Sequence, residues 1–128
     1  MKLDLDSMCF ACGGENPIGL RLAFHFDGDD YVTSLEIKAE YQGWRGIAHG
    51  GLIATALDEA MARLLWEKDI NAITARLQVR YHRPVPIGEA LEIRGRITRL
   101  RPPLIETEAV ATSGGAVVAE ATATSRKV

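Results

Sequence analysis

His49-Gly50-Gly51 is followed, seven residues after its last glycine, by Asp58. These residue types could polarise a carbonyl and activate a water. A glycine pair lets another group approach the backbone closely. At a helix start, the first N–H groups have no partner within the helix, and the dipole there favours negative charge. Such an end can hold an anion or the oxygen of a polarised carbonyl. Taken alone, the glycines fit a tight turn equally well. Asp58 changes the balance. Leu52-Ile53-Ala54-Thr55-Ala56-Leu57 before it and Ala60-Met61-Ala62 after it are strongly apolar, and burying an unpaired carboxylate is costly. An acid in that setting is either paired structurally or retained for chemistry, and the pattern favours chemistry.

Glu59 is the rival acid. It sits one step, about 100°, around a helix, so it does not share the Gly51 face. It reads as a structural salt-bridge partner for Arg63 at i+4. Cys9-Phe10-Ala11-Cys12-Gly13 has the spacing of half a zinc site, but tetrahedral zinc needs four ligands. The chain has no further cysteine and only three histidines, His25, His49 and His82. The expectation is therefore no metal, and a tight turn with reduced, buried thiols. Asn16 in Asn16-Pro17-Ile18-Gly19-Leu20 could direct its amide at a ligand, yet a local cap is the favoured role. Thr74 could orient a water, although β-propensity alone accounts for a threonine in a strand. Arg76, Arg80, Arg83, Arg94, Arg96, Arg99 and Arg101 read mostly as a solvated face, with some able to hold coenzyme phosphates. Trp44, Trp66, Met61 and Leu65 fit pocket walls and core packing equally.

The elements that must position these residues follow from periodicity. Leu52, Ile53, Ala56, Leu57, Ala60, Met61, Leu64 and Leu65 recur at spacings of three and four, so a helix is expected from Gly50 to about Lys68. It is apolar on most sides, which predicts burial. Before it, Arg21 to Phe26 and Tyr31 to Ile37 read as a hairpin around Asp27-Gly28-Asp29-Asp30. Tyr41 to Ala48 reads as a loop. After the helix, Ala72 to Tyr81 alternates Ile73, Ala75, Leu77, Val79 and Tyr81 as its apolar face. Glu89 to Leu100, Leu104 to Ala111 and Ala116 to Thr124 complete four strands, the last two joined at Gly114-Gly115. Short connections argue for antiparallel pairing. The expected architecture is α+β, one helix packed on one antiparallel sheet, in a single domain over residues 1–128.

On such a helix, Asp58 lies about 10 Å along the axis from Gly51. Side chains lean toward the helix start, which recovers only part of that gap. A second subunit's helix, antiparallel to the first, would bring one chain's Asp58 to the other's Gly51. The spacing thus predicts a two-fold dimer with shared sites.

Composition narrows the function classes. Hydrophobic residues make up 47% and charged residues 25%, with a formal net charge of −2. No Lys/Arg block offers a nucleic-acid footprint. No apolar run is long enough to span a membrane, and the N-terminus lacks a signal-peptide pattern, so a cytoplasmic location is expected. No G-x-S-x-G nucleophile elbow is present.

Cys9-Phe10-Ala11-Cys12-Gly13, Asn16-Pro17-Ile18-Gly19-Leu20, His49-Gly50-Gly51 with Asp58, and Tyr81-His82-Arg83-Pro84-Val85-Pro86-Ile87-Gly88-Glu89 together resemble the hotdog-fold thioesterases of the phenylacetate-pathway (PaaI-like) type. The resemblance implies a long helix wrapped by a five- to six-stranded antiparallel sheet, with two subunits joined sheet edge to sheet edge and dimers often pairing into tetramers. It implies an acyl-coenzyme A substrate, no metal and no separate cofactor. By resemblance, the Gly51 N–H polarises the thioester carbonyl, and Asp58 of the partner subunit is general base or nucleophile. His49, Gly50 and Asn16 match positions lining the thioester site, and Thr74 one that orients the water or the acid. Acyl-thioester hydratases or dehydratases, and non-catalytic acyl-coenzyme A binders, are the competing readings.

Overall fold

The computed structural model describes residues 2–128. Its strands are β1 (His25–Asp27), β2 (Asp30–Glu36), β3 (Ala72–Tyr81), β4 (Ala90–Arg101), β5 (Leu104–Ser113) and β6 (Ala116–Lys127), and its α-helix, α1, is Gly50–Glu67. A 3-10 turn at Ala39–Tyr41 precedes the helix. The strands form one antiparallel sheet in the order β1-β2-β4-β5-β6-β3. β3 is therefore an edge strand, although it is the first strand after the helix.

The periodicity of α1 has its expected consequence. Ile53, Ala56, Leu57, Ala60, Met61, Leu64 and Leu65 are all buried, and they face the sheet. Small residues let the two layers approach. Ala109, Ala111, Ala119, Ala121 and Ala123 are buried on β5 and β6. On β4, a Cβ at Gly95 would lie only 2.8 Å from the Ala60 carbonyl oxygen, so only glycine fits under the helix there.

Two expectations need correction. The strand expected from Arg21 to Phe26 shrinks to β1. Leu20 and Leu22 donate their N–H groups to Phe10 and Ala11 carbonyls, both at 2.9 Å. That segment therefore pairs with the Cys9–Gly13 loop instead of the sheet. The second correction concerns β3. Thr74 pairs with Ser125 and Arg76 with Thr124, leaving Ala75 as an extra residue in a bulge. The bulge changes the phase of alternation. Ala72 is buried and Ile73 is 50% exposed, while Leu77, Val79 and Tyr81 take the helix-facing side beyond it. Thr74 thereby joins Leu77, Val79 and Tyr81 on the inner face, and Ile73 and Ala75 leave it.

Candidate active site

The loop before α1 is held from two directions. Ala48 donates to the Val85 carbonyl and His49 to the Tyr41 carbonyl, each at 2.8 Å. The passage from His82 to Glu89 is fixed in turn by Arg83, which forms an ion pair with Glu89 at 2.7 Å. His49 is the N-cap, with φ −65° and ψ 128°. Its Nδ1 accepts the Gly51 N–H at 2.9 Å, so a neutral ring carries its proton on Nε2. The backbone N–H groups of Leu52 and Ile53 both point to the His49 carbonyl, at 3.0 and 3.3 Å.

This cap bears on Gly51, the expected carbonyl-polarising donor. Its N–H is engaged by the His49 ring. Gly50, one residue earlier, is the donor left over: among the described residues its N–H has no hydrogen-bond acceptor. Its carbonyl is fixed instead, accepting the Tyr81 hydroxyl at 2.6 Å. Burial raises the Tyr81 pKa above its ordinary value, which keeps that donor protonated at neutral pH. Tyr81 was not among the residues singled out for chemistry. Its position at the end of a strand gave no signal that it would reach the helix start.

Asp58 projects from the middle of α1 and accepts a hydrogen bond from the Thr74 hydroxyl at 3.0 Å. The β3 bulge is what turns Thr74 toward it. Burial raises the Asp58 pKa, and the Thr74 hydroxyl partly offsets this by stabilising the carboxylate. The result is a half-buried acid with one fixed partner and no counter-cation in the ion pairs of the described residues. That suits proton transfer better than structural pairing.

The chain thus carries a donor end and an acid end. Gly50 and Asp58 are eight residues apart, about 12 Å along the helix axis. Each is tied to a different end of β3, Gly50 through Tyr81 and Asp58 through Thr74.

The remaining candidates separate. Asn16 donates to the Met8 carbonyl at 3.0 Å and accepts from the Ile18 N–H at 3.0 Å. Those bonds give its amide a local capping role. Glu59 does not pair with Arg63, whose guanidinium lies 3.9 Å from Glu67 instead. Glu59 faces the Cys12 thiol, and burial raises the pKa of its carboxyl. Burial, with contributions from Cys9 and Glu59, pushes the Cys12 thiol up to about 12. Met61 and Leu65 belong to the core, whereas Trp44 is 84% exposed in the loop before the helix. Arg83, Arg94 and Arg96 are committed to carboxylates.

A helix with an open N-terminal donor, an interior acid and a wrapping antiparallel sheet is a combination that can be compared with known proteins. The family model of the thioesterase superfamily matches residues 45–120, from the loop before α1 into β6. The chain belongs to the thioesterase superfamily. Among solved structures, a thioesterase superfamily protein is similar at 26% identity and a TM-score of 0.84, covering 93% of this chain and 61% of that one. The chain therefore spans less than two thirds of that relative. A mutant form of the phenylacetic acid degradation protein PaaI from Thermus thermophilus is similar at 25% identity and a TM-score of 0.75, covering 85% of this chain and 95% of that one. A Streptococcus mutans protein bound to acetyl CoA shares the fold at 23% identity and a TM-score of 0.76, covering 84% of this chain and 88% of that one. Comparison with curated proteins finds no match. This thioesterase superfamily chain has the hotdog fold, and its structure is similar to that of the PaaI protein. Among the described residues, no helix is long and apolar enough to cross a membrane.

Proposed function

We infer that the protein hydrolyses an acyl-coenzyme A thioester to the free acid and coenzyme A. The observation that carries this reading is the half-buried Asp58 carboxylate, held by Thr74 at 3.0 Å on a helix whose first N–H is open. Membership of the thioesterase superfamily supports the bond class. The acetyl CoA held by the Streptococcus mutans protein of the same fold supports the coenzyme.

The chemistry needs two groups on opposite sides of the reacting carbon. Attack on a thioester carbonyl places negative charge on its oxygen. The Gly50 N–H, at the positive end of α1, lies where it can stabilise that charge. Asp58 removes a proton from the attacking water. The tetrahedral intermediate then collapses, expelling the coenzyme A thiolate, which takes up a proton. His49 keeps the Gly51 N–H turned inward, and Tyr81 fixes the plane of the Gly50–Gly51 peptide.

The two groups belong to different subunits in this reading. β3 is a paired strand on one side only, and Ile73, Leu77 and Tyr81 are exposed along it at 50%, 39% and 48%. A long apolar edge of this kind is a template for another strand. Antiparallel pairing of two β3 strands about a two-fold axis at Gln78 sets the Thr74 end of one beside the Tyr81 end of the other, once the bulge residue is discounted. Asp58 of one protomer then serves the Gly50 N–H of its partner, as the helix spacing predicts. Dimers of this kind leave the outer sheet face free for further pairing into tetramers. Coenzyme A is part of the substrate, so the reaction calls on no separate cofactor.

The test is thiol release from short, medium, long and aromatic acyl-coenzyme A substrates. Asp58→Asn should lower turnover by about 10²–10⁴-fold, the usual worth of a positioned acid or base. Circular dichroism should be unchanged. Full turnover in the variant would remove Asp58 from the mechanism. Interconversion of crotonyl- and 3-hydroxyacyl-thioesters without thiol release would replace hydrolysis by hydration.

A further inference from the structure

The thiols of Cys9 and Cys12 and the carboxylate of Glu59 stand together. One ligand atom from each lies within 4.8 Å of the others, and all three residues are half-buried. Two come from the loop that precedes the first strand and one from α1. The cluster lies outside the Gly50 and Asp58 machinery, and the proposed hydrolysis makes no use of it.

Its dimensions suit a metal. Zinc bound at about 2.3 Å from sulfur and 2.0–2.2 Å from oxygen requires ligand atoms roughly 3.5–3.8 Å apart in a tetrahedron. The cluster meets that after a contraction of at most about 1.3 Å, within reach of rotamer adjustment. The loop is already shaped around its first sulfur. The Cys12 N–H donates to the Cys9 Sγ at 3.3 Å, and such a bond supports a thiolate. The Gly13 N–H donates to the Cys9 carbonyl at 2.9 Å, closing the turn. A Cβ on Gly13 would stand 2.3 Å from the Ser7 carbonyl oxygen and 2.5 Å from the Cys9 nitrogen. The glycine is therefore required for the two thiols to converge. Ligand counting along the sequence stops at two cysteines. The third group that could serve is an acid from the helix, on a face that only the fold reveals.

We propose that Cys9, Cys12 and Glu59 form a binding site for zinc or a similar thiophilic divalent cation, with water as the fourth ligand. Two thiolates select against magnesium and calcium, which prefer all-oxygen shells. Binding displaces the thiol protons to solvent. The ion joins the loop to α1 one residue from Asp58, without taking part in the reaction.

The test uses the full chain, stripped with a chelator under reducing conditions and titrated with cobalt(II). One equivalent should bind per chain, with a thiolate-to-cobalt charge-transfer band that zinc abolishes. Cys9→Ser and Cys12→Ser should each lose about half of the band. Glu59→Gln, which keeps the side chain's shape, should weaken cobalt binding at least tenfold, since even loss of an outer-shell partner costs about that much. Zinc should slow alkylation of both thiols in the unmutated chain, a measurement that needs no variant to fold. Absence of the band, an unchanged alkylation rate with zinc, or a Glu59→Gln chain that binds cobalt as tightly as its parent would each overturn the proposal. None of these readouts depends on thioester hydrolysis.

Discussion

Proline at position 50 would delete one hydrogen-bond donor and little else. Gly50 is the first residue of α1, the position where proline is best tolerated in a helix, because its missing N–H has no intrahelical partner. The residue before a proline is confined to extended backbone, and His49 is already there at φ −65° and ψ 128°. A Cβ at position 50 would lie 3.4 Å from the Tyr81 Cζ and hydroxyl oxygen, an ordinary contact. Gly50→Ala is the matched control. It adds the same Cβ and keeps the N–H. If that N–H stabilises the developing oxyanion, Gly50→Pro should turn over about 10²–10³-fold more slowly than Gly50→Ala, or roughly 2.7–4 kcal/mol in the barrier. The comparison is made on kcat by thiol release, with thermal melts to establish that both variants fold. Rates within about threefold of each other would refute the assignment of the donor to Gly50. A Gly51→Pro chain, with Gly51→Ala as its control, speaks to the alternative donor, although a Cβ there would press on the His49 ring at 3.1 Å.

Other outcomes follow from the same geometry. Thr74→Val removes the hydroxyl that stabilises the Asp58 carboxylate, so the acid limb of the pH–rate profile should move to higher pH, and an unmoved limb would sever Thr74 from Asp58. For stability the sign runs the other way from an ordinary acid. The folded-state pKa of Asp58 is raised, so its contribution is most favourable below the ordinary carboxylate pKa and declines as pH rises through the folded-state value. The D58N chain should therefore melt above its parent at neutral pH and lose that advantage in acid; a lower melting temperature at neutral pH would contradict this. Mixing inactive D58N and G50P chains, after dissociation and reassociation, should restore about a quarter of the parent rate, because half the dimers then hold one complete shared site. No recovery, in chains demonstrated to exchange, would place both groups in one subunit.

The helix and most strands were legible in the sequence because burial imposes a period on residue type. Seven of the eight apolar positions expected on α1 are buried, and Leu52 is half-buried. β3 was legible in extent and misread in phase. An extra residue at Ala75 leaves both halves of the strand apolar on alternate positions, and no propensity marks which residue bulges. The short β1 was overextended because the donors of Leu20 and Leu22 go to a loop ten or so residues earlier. Pairing at that separation leaves no local trace. The place of Asp58 inside the helix and of the glycines at its start was legible from residue type and spacing. The identity of the open donor was not, since it depends on the rotamer of His49 and on the bond its Nδ1 accepts. Helical spacing alone pairs Glu59 with Arg63, because it carries no sign that the cysteine loop lies against that face.

The bulge at Ala75 has a consequence for how this protein can change over time. It acts as a phase switch: deleting Ala75 would leave Thr74 opposite Ser125 on the same surface, whereas drawing Ala75 into regular pairing would carry Thr74 to the opposite surface without altering Asp58 or the glycines. Substitution at Asp58 leaves an obvious scar in an alignment, whereas a substitution that flattens a bulge looks innocuous. A chain silenced by that route would keep its acid, its glycines and its capping histidine. Comparing such chains column by column would count them as unchanged, so the pairing of this strand, as much as its letters, decides whether Thr74 meets Asp58.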